Sequence, residues 1–219
     1  MTISPSDRTT LQSTVYIVED DADASEMLAE LLKSNGLSVH CFATAEAFLH
    51  HGAVARPACA VVDLRLPGMS GLDLHAQLHG DTPQLPVIVI TGHGDVATAR
   101  AALLAGARDF LEKPVQPQDL LDAVGAALES DTQAIELERQ RTRILDLVAR
   151  LTPREHEVFQ RITDGLHNRE IAAELGISPR TVEVHRARLM EKLKVRRLAD
   201  LFRLRVVTDP SVQGSMRLS

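Results

Sequence analysis

Acidic residues directly follow two of the most apolar stretches of the chain, and these positions could support chemistry. The apolar run 58–62 is followed by Asp63, and the run 15–18 is followed by Glu19 and Asp20. A short apolar run bounded by polar or turn-forming residues is typical of a buried strand. Carboxylates gathered at strand ends attract a hard cation such as Mg²⁺, and a carboxylate can attack phosphorus to form an aspartyl phosphate. These residues therefore suggest phosphoryl transfer assisted by a divalent cation.

Two further strand candidates end close to residues that would complete such a site. The run 86–90 is followed by Thr91, and the short run 109–111 is followed closely by Lys113. A lysine would neutralise the charge of a phosphoryl group, and a threonine hydroxyl would donate a hydrogen bond to it. Two alternatives remain open at this point: Asp63 could simply close a strand, and Lys113 could be a surface lysine paired with a nearby acid.

These residues need a framework that brings four strand ends together. Apolar runs predict strands at 15–18, 37–41, 58–62, 86–90 and 109–111. Helical patterns alternate with them, at 22–35, 44–51, 70–79 (closed by Gly80), 95–104 and from 117 onward. This alternation predicts an α/β doubly wound parallel five-stranded sheet, which places ligands at the carboxyl ends of its strands. The buried face of the first helix is expected to contain Met27, Leu28, Leu31 and Leu32.

Residues 117–149 are predicted to form a connecting helix. Asp131, Glu138 and Thr142 interrupt its apolar spacing, which argues against a strong coiled coil. A flexible joint is the alternative.

The charge of the chain is divided unevenly between its two halves. Residues 1–149 carry a net charge of −11, and the residues from Arg150 onward carry +5. A basic half suggests contact with nucleic acid, although two domains can also differ in surface charge without such a role. The opposite charges also suggest that the acidic half masks the basic half before phosphorylation.

The basic half contains the pattern of a helix-turn-helix. Thr152 and Glu155 predict a capping box at the start of a helix. Further along, a short helix ends at Gly176, and Ser178 precedes a longer helix that runs to about Leu193. Two helices joined by a short turn with glycine fit a helix-turn-helix, and an ordinary helical hairpin is the alternative.

The spacing within the longer helix separates a buried stripe from an exposed surface. Val182, Leu189 and Leu193 are expected to be buried. The opposite surface would face DNA, where small apolar side chains contact thymine methyl groups, arginine reaches guanine or phosphate, and glutamate accepts from cytosine. The predicted DNA-contacting residues are Asn168, Arg169, Arg180, Thr181, Glu183, Val184, Ala187 and Arg188.

The N-terminal half resembles the receiver domain of two-component response regulators, which has a flavodoxin-like sheet. The resemblance is carried by Val18-Glu19-Asp20-Asp21, by Asp63-Leu64-Arg65-Leu66-Pro67-Gly68-Met69-Ser70-Gly71, by Thr91-Gly92 and by Lys113-Pro114. It implies that Asp63 is the phosphoacceptor. It implies also that Mg²⁺ or Mn²⁺ is held by Glu19, Asp20, Asp63 and the backbone carbonyl of Arg65.

The same resemblance assigns the remaining residues of the site. Thr91 and Lys113 are expected to bind the phosphoryl group, and Phe110 is expected to act as a switch residue that moves with Thr91. The Lys113-Pro114 peptide bond is expected to be cis.

The C-terminal half resembles the LuxR-type helix-turn-helix. The resemblance is carried by Leu151-Thr152-Pro153-Arg154-Glu155, by Asn168-Arg169-Glu170-Ile171-Ala172 and by Ser178-Pro179-Arg180-Thr181-Val182-Glu183-Val184-His185-Arg186. The whole chain is thus similar to response regulators of the NarL/FixJ family, and to FixJ-type members in particular. The resemblance implies a cytoplasmic transcription regulator, usually an activator, that is phosphorylated by a sensor histidine kinase. It implies dimerisation on phosphorylation, binding to double-stranded DNA and RNA polymerase as a further partner. Leu198, Leu201 and Phe202 are expected on a last helix that pairs in the DNA-bound dimer.

The predicted organisation has five segments. They are a disordered N-terminal tail (1–13), a receiver domain (14–129), a helical linker (130–149), a LuxR-type helix-turn-helix domain (150–207) and a disordered C-terminal tail (208–219).

Two other functions fit parts of the pattern. The N-terminal half could be a phosphatase with an aspartyl-phosphate intermediate, but no second acid stands ready to protonate a leaving group, so only slow self-phosphorylation and self-dephosphorylation are expected. The C-terminal half could instead be an adaptor that binds protein. The sequence shows no signal peptide and no apolar run long enough to span a membrane. The two cysteines, Cys41 and Cys59, are expected to be buried free thiols.

Overall fold

The computed structural model of the chain describes residues 13–81, 85–92, 104 and 106–209. The chain divides into two compact units, Met1–Ile135 and Glu136–Ser219. The predicted helix 95–104, apart from residue 104, lies outside the described residues, and so does nearly all of both predicted disordered tails.

The first unit is built on five parallel strands. They are β1 (Thr14–Val18), β2 (Ser38–Phe42), β3 (Ala58–Asp63), β4 (Val87–Thr91) and β5 (Asp109–Glu112). Their order across the sheet is β2-β1-β3-β4-β5, and every neighbouring pair is parallel. This topology confirms the predicted doubly wound sheet. The three interior strands are buried along their whole length, as continuous apolar runs in a parallel sheet require.

Helices pack on both faces of the sheet and form two apolar clusters. The described helices of this unit are α1 (Ala22–Ser34), α2 (Ala45–His50), α3 (Gly71–Asp81) and α4 (Pro117–Ala149). Leu28 and Leu32 of α1 are buried as predicted, but Met27 is 59% exposed, so its assignment to the buried face was wrong. Helix α3 continues through Gly80 to Asp81, so Gly80 does not close it.

Helix α4 is a single helix of 33 residues that crosses the boundary between the two units. Asp131 of this helix, which interrupts its apolar spacing, is only 1% exposed. Its carboxylate forms an ion pair with Arg56 and accepts a hydrogen bond of 2.8 Å from the backbone N–H of Ala58. The residues from 132 to 143 are exposed except for the half-buried Ile135. Asp131 is therefore the last fully buried residue of α4 within the first unit.

The second unit is helical and has its own apolar core. Its helices are α5 (Pro153–Thr163), α6 (Asn168–Leu175), α7 (Pro179–Lys192) and α8 (Leu198–Thr208). The predicted capping box of Thr152 and Glu155 is present at the start of α5. Gly176 follows α6 with a φ of +64°, which glycine adopts readily, and turns the chain toward α7. Helix α8 extends through Thr208, one residue beyond the predicted domain boundary.

Both cysteines are free. Cys59 lies on the central strand β3, and its burial raises the pKa of its thiol to about 12. Cys41 is exposed rather than buried, because it lies on the edge strand β2. Among the described residues, no helix combines the length and the apolar character needed to cross a membrane.

Candidate functional site

Three carboxylates meet at the carboxyl edge of the sheet. Glu19 and Asp20 directly follow β1, and Asp63 ends β3, which is the neighbour of β1 in the sheet. Each of the three offers an oxygen atom, and these oxygens all lie within 4.8 Å of one another. Glu19 is 3% exposed and Asp63 is 6% exposed, whereas Asp20 is open to solvent. The parallel sheet thus brings these acids together, as expected from the ends of the predicted strands.

The Lys113 ammonium lies among these acids. Its Nζ atom is 2.5 Å from Oδ2 of Asp63 and 2.8 Å from Oε2 of Glu19. The backbone also fixes the position of this lysine, because its N–H donates to the carbonyl oxygen of Thr91 at 2.8 Å. The Lys113-Pro114 peptide bond is cis, as expected. Lys113 therefore does pair with nearby acids, as the alternative had it, and these acids are Glu19 and Asp63 of the predicted site.

Burial and the hydrogen bonds between Lys113 and the acids act in opposite directions on the pKa values of Glu19 and Lys113. Burial raises the pKa of Glu19, and the nearby Asp63 charge adds to the increase, while hydrogen bonding from Lys113 opposes it. Burial by itself would lower the pKa of Lys113, but hydrogen bonds to Asp63 and Glu19 outweigh burial and raise it. Lys113 consequently remains an ammonium ion at neutral pH and balances part of the negative charge.

Two close contacts hold the Asp63 carboxylate and the start of α3 beside the end of β3. The backbone N–H of Arg65 donates to Oδ1 of Asp63 at 2.9 Å, so the carboxylate is held by its own loop as well as by Lys113. A Cβ atom on Gly71 would lie 2.2 Å from the carbonyl oxygen of Asp63, so the start of α3 passes too close to the strand end for a larger residue. These contacts fix the Asp63 carboxylate at the open edge of the sheet.

Thr91 and Phe110 lie on the next two strands. Thr91 is buried and ends β4, whose Ile90 is paired with Asp63. Its hydroxyl donates to the carbonyl oxygen of Gly92 at 3.3 Å, which is a long and weak hydrogen bond. Phe110 lies on β5 opposite Val89 and is 38% exposed. The predicted switch pair thus consists of a buried hydroxyl with a weak bond and a partly exposed ring.

The donor set suits a hard divalent cation. Glu19, Asp20 and Asp63 supply carboxylate oxygens, and the exposed position of Asp20 leaves room for water, which Mg²⁺ usually retains. Arg65 lies in the loop next to Asp63, where its backbone carbonyl is the predicted fourth ligand. The chemistry of these side chains therefore fits the predicted Mg²⁺ or Mn²⁺.

The second unit presents the predicted DNA-reading helix, α7. Val182, Leu189 and Leu193 are buried in the helical core with at most 2% exposure. The opposite surface of α7 is exposed, and it carries the predicted contact residues Arg180, Glu183, Val184, Ala187 and Arg188. Arg180 and Glu183 form an exposed ion pair at 3.2 Å. The spacing of the apolar residues therefore predicted the orientation of this helix correctly.

The remaining predicted DNA contacts lie at helix starts. Thr181 is in the first turn of α7, where its backbone N–H donates to the Ser178 hydroxyl at 3.1 Å. Asn168 is half-buried and Arg169 is exposed at the start of α6. Both line a cleft of about 660 Å³ whose other wall includes Leu198 and Phe202 of α8.

Leu201 differs from its neighbours on α8. Leu198 is 38% exposed, but Leu201 is fully buried in the helical core. Pairing through the last helix, as the resemblance implies, would therefore have to use Leu198 and Phe202 without Leu201.

An ion pair holds the end of the predicted DNA-reading helix, α7. The sequence did not predict this pair. Lys192, the last residue of α7, donates to the buried carboxylate of Glu155 at 2.6 Å. The same carboxylate accepts the capping hydrogen bond from Thr152 N–H at 2.8 Å. Burial would raise the pKa of Glu155, but the bonds from Lys192 and Thr152 outweigh it and lower the pKa. The end of α7 is thereby tied to the start of α5.

The chain matches two protein families, one in each unit. Residues 15–125 match the response regulator receiver domain, and residues 149–205 match the bacterial regulatory proteins of the luxR family.

The chain is also similar to known proteins over most of its length. Nodulation protein W of Bradyrhizobium diazoefficiens is 42% identical over 190 residues, which cover 87% of this chain and 84% of that protein. The transcriptional regulatory protein FixJ of Azorhizobium caulinodans is 43% identical over 190 residues, which cover 87% of this chain and 90% of that protein. Among solved structures, the response regulator StyR is 41% identical with a TM-score of 0.77, and the match covers 88% of this chain and 98% of StyR.

Proposed function

Because the chain belongs to the NarL/FixJ family of response regulators, with a receiver domain followed by a LuxR-type DNA-binding domain, we propose that Asp63 is its phosphoacceptor. The phosphoryl donor in this proposal is a phosphohistidine of a sensor histidine kinase. Phosphorylation then leads to dimerisation and to tighter binding of double-stranded DNA. The observation that supports the proposal most strongly is the meeting of Asp63, Glu19 and Lys113 at one edge of the sheet.

The chemical step requires little beyond positioning and charge neutralisation. A carboxylate oxygen of Asp63 attacks phosphorus, the bond from phosphorus to the histidine nitrogen breaks, and the imidazole leaves with the electron pair and takes up a proton. Lys113 is placed to stabilise the negative charge of the transferred group. Thr91 can exchange its weak bond to Gly92 for a bond to a phosphoryl oxygen.

Glu19, Asp20, Asp63 and the Arg65 carbonyl are the residues that would hold Mg²⁺ or Mn²⁺. The cation would neutralise charge on the phosphoryl oxygens. No general acid is required in the site itself, which agrees with a regulator that turns over its phosphoryl group slowly, without acting as a general phosphatase.

The domain organisation of the chain supplies the output of the switch. We propose that the receiver domain spans residues 14–129, that residues 130–149 link it to the DNA-binding domain, and that this domain begins at residue 150. Arg180, Glu183, Val184, Ala187 and Arg188 would face base edges, whereas Asn168, Arg169 and Thr181 would hold phosphates and position the helix. Two tethered copies would engage two half-sites, which raises the effective affinity. RNA polymerase is the expected partner of the DNA-bound dimer.

The proposal can be tested directly on the full chain. The protein is incubated with a small acyl phosphate and Mg²⁺, and the site of modification is mapped by mass spectrometry after reduction with borohydride, which traps acyl phosphates. We expect modification at Asp63 and its loss in Asp63→Asn, while the control Asp73→Asn, at an exposed residue in the first turn of α3, is modified normally. Modification at another aspartate, or none in the wild type, would refute the assignment.

A further inference from the structure

The loop that joins β3 to α3 carries Arg65, and backbone hydrogen bonds hold both of its ends. There, Arg65 N–H donates to the Asp63 carboxylate at 2.9 Å, and Gly71 N–H donates to the carbonyl oxygen of Leu64 at 3.2 Å. The turn at Pro67 and Gly68 is exposed. Contacts from other elements of the unit can therefore add to what holds this turn.

A glutamate on another helix makes that contact. Oε1 of Glu46, in the first turn of α2, accepts a hydrogen bond of 2.9 Å from the backbone N–H of Met69. Gly68 has a φ of +80°, and a Cβ atom added to it would lie only 2.7 Å from the same Oε1. The carboxylate thus lies directly against the backbone of the turn, 23 residues away along the chain.

The contact has the features of a strong hydrogen bond. Hydrogen bonds from the backbone N–H groups of Glu46 itself and of Met69 lower the pKa of the Glu46 carboxyl, so this side chain is ionised at neutral pH. Hydrogen bonds to a charged acceptor are stronger than those between neutral groups. Helix α2 is itself held in place by Phe48, which is buried in the core between this helix and the sheet. Glu46 consequently joins a fixed helix to the backbone of the turn at Met69, whose side chain packs against the same core as Phe48.

We propose that Glu46 is a positioning residue of the phosphoacceptor site, because its carboxylate sets the shape of the loop that presents the Arg65 carbonyl to the divalent cation. The proposal rests on the function proposed above. Glu46 does not touch the cation or the phosphoryl group, and it acts only through the loop. Residues that orient metal ligands in this way commonly change metal affinity by about 10- to 100-fold when they are removed.

The test is a titration of the full chain with Mn²⁺, followed by the electron paramagnetic resonance signal of the free ion. Wild type, Glu46→Ala and Glu46→Gln are compared, with Glu30→Ala as a matched control that removes an exposed helical glutamate of the same unit. We expect Glu46→Ala to weaken Mn²⁺ binding by about tenfold. Glu46→Gln retains an oxygen acceptor for Met69 N–H and is expected to recover most of the affinity, and Glu30→Ala is expected to bind as the wild type does.

The midpoint temperature of thermal unfolding, measured without metal, shows whether Glu46 positions the loop or only stabilises the fold. We expect Glu46→Ala and Glu46→Gln to unfold at similar temperatures although their Mn²⁺ affinities differ. Gly68→Ala is a second route to the same contact, because its Cβ atom would displace Oε1. Its effect on Mn²⁺ affinity should be smaller when Glu46 is already alanine, since the two positions are coupled.

Two results would overturn the proposal. If Glu46→Ala binds Mn²⁺ as tightly as the wild type, the loop does not depend on Glu46, and the function of Asp63 is unaffected by this failure. If the wild type itself binds no Mn²⁺, the cation site fails together with this proposal.

Discussion

Lys113 and Asp63 are 50 residues apart in the sequence, yet the ammonium and carboxylate groups lie 2.5 Å from each other at the edge of the sheet. The same ammonium also contacts Glu19. Lysine is suited to this position because it provides a compact charge on a flexible chain. The Lys113 ammonium therefore already lies beside Asp63, where a phosphoryl group on that residue would require a positive charge.

Replacement of Lys113 should slow phosphorylation more than it disturbs the fold. We expect Lys113→Met to reduce the rate of phosphorylation by a small acyl phosphate by about 100-fold, because a charge that stabilises the transition state is lost. The matched control is Lys33→Met, at an exposed lysine in the last turn of α1. The rate is followed by separating phosphorylated from unmodified protein over time. A rate equal to that of the control variant would show that Lys113 has no role in the transfer.

Asp131 should contribute strongly to the stability of the receiver unit. Asp131→Ala removes the carboxylate that accepts from Arg56 and from the Ala58 N–H, and loss of one member of a buried ion pair costs about 3 kcal/mol or more. Asp131→Asn, which retains an acceptor for Ala58 N–H, should cost less. The chain has one tyrosine and no tryptophan, and Tyr16 is buried on β1, so tyrosine fluorescence in urea reports on this unit alone.

The control for Asp131 is an exposed ion pair in the other unit. Arg161 and Glu174 lie 2.8 Å apart with Glu174 half exposed, and such pairs contribute about 1 kcal/mol or less. Arg161→Ala should leave the tyrosine transition unchanged, because Tyr16 lies in the first unit and Arg161 in the second. A value for Asp131→Ala within about 0.5 kcal/mol of wild type would mean that the buried pair does not anchor α4.

The helical unit should lose stability in acid through Glu155. Because the pKa of Glu155 in the folded state lies below its ordinary value of 4.5, the ionised side chain stabilises the fold above that value, and the stabilisation is lost as the pH falls through the folded-state pKa. Glu155→Gln removes this dependence. Helical circular dichroism in urea, at about pH 7 and about pH 3, should show a smaller acid-induced loss in the variant than in the wild type. If both lose the same stability, the bond from Lys192 does not lower the pKa of Glu155.

Arg188 should affect DNA binding without affecting stability. It is exposed on the surface of α7 opposite the buried Leu189. We expect Arg188→Ala to weaken binding to a selected duplex by about 1–3 kcal/mol if the arginine reads a base, and to lower the salt slope by about 1 if it contacts a phosphate. Binding is measured at several salt concentrations, and urea unfolding should match the wild type. Unchanged affinity together with an unchanged salt slope would remove Arg188 from the DNA surface.

The sequence predicts those elements that correspond to one uninterrupted pattern of apolar residues. The strand runs before Glu19, Asp63 and Thr91 are unbroken apolar segments, so both the strands and the positions of their polar ends could be predicted. The stripe of Val182 and Leu189 likewise predicted which surface of α7 is exposed. In each case a single short pattern contains all the information that is needed.

Other features depend on contacts between distant segments and could not be predicted. The sequence identified Asp131 only as an interruption of the apolar spacing, because its ion-pair partner, Arg56, is 75 residues away. No motif in the sequence includes Glu46, since its proposed role depends on how α2 packs beside the loop. Met27 is adjacent to Leu28 in the sequence, but neighbouring residues of a helix point about 100° apart, and Met27 is exposed where Leu28 is buried.

The most direct test of the account is the DNA affinity of the full chain before and after phosphorylation, measured on a duplex selected from random DNA by the phosphorylated protein. Wild type and Asp63→Asn are compared at one fixed salt concentration, because phosphate contacts depend strongly on salt. The account predicts that a small acyl phosphate with Mg²⁺ tightens binding by the wild type and leaves Asp63→Asn unchanged. Equal affinities of the phosphorylated and unmodified wild type, or the same increase in Asp63→Asn, would contradict it.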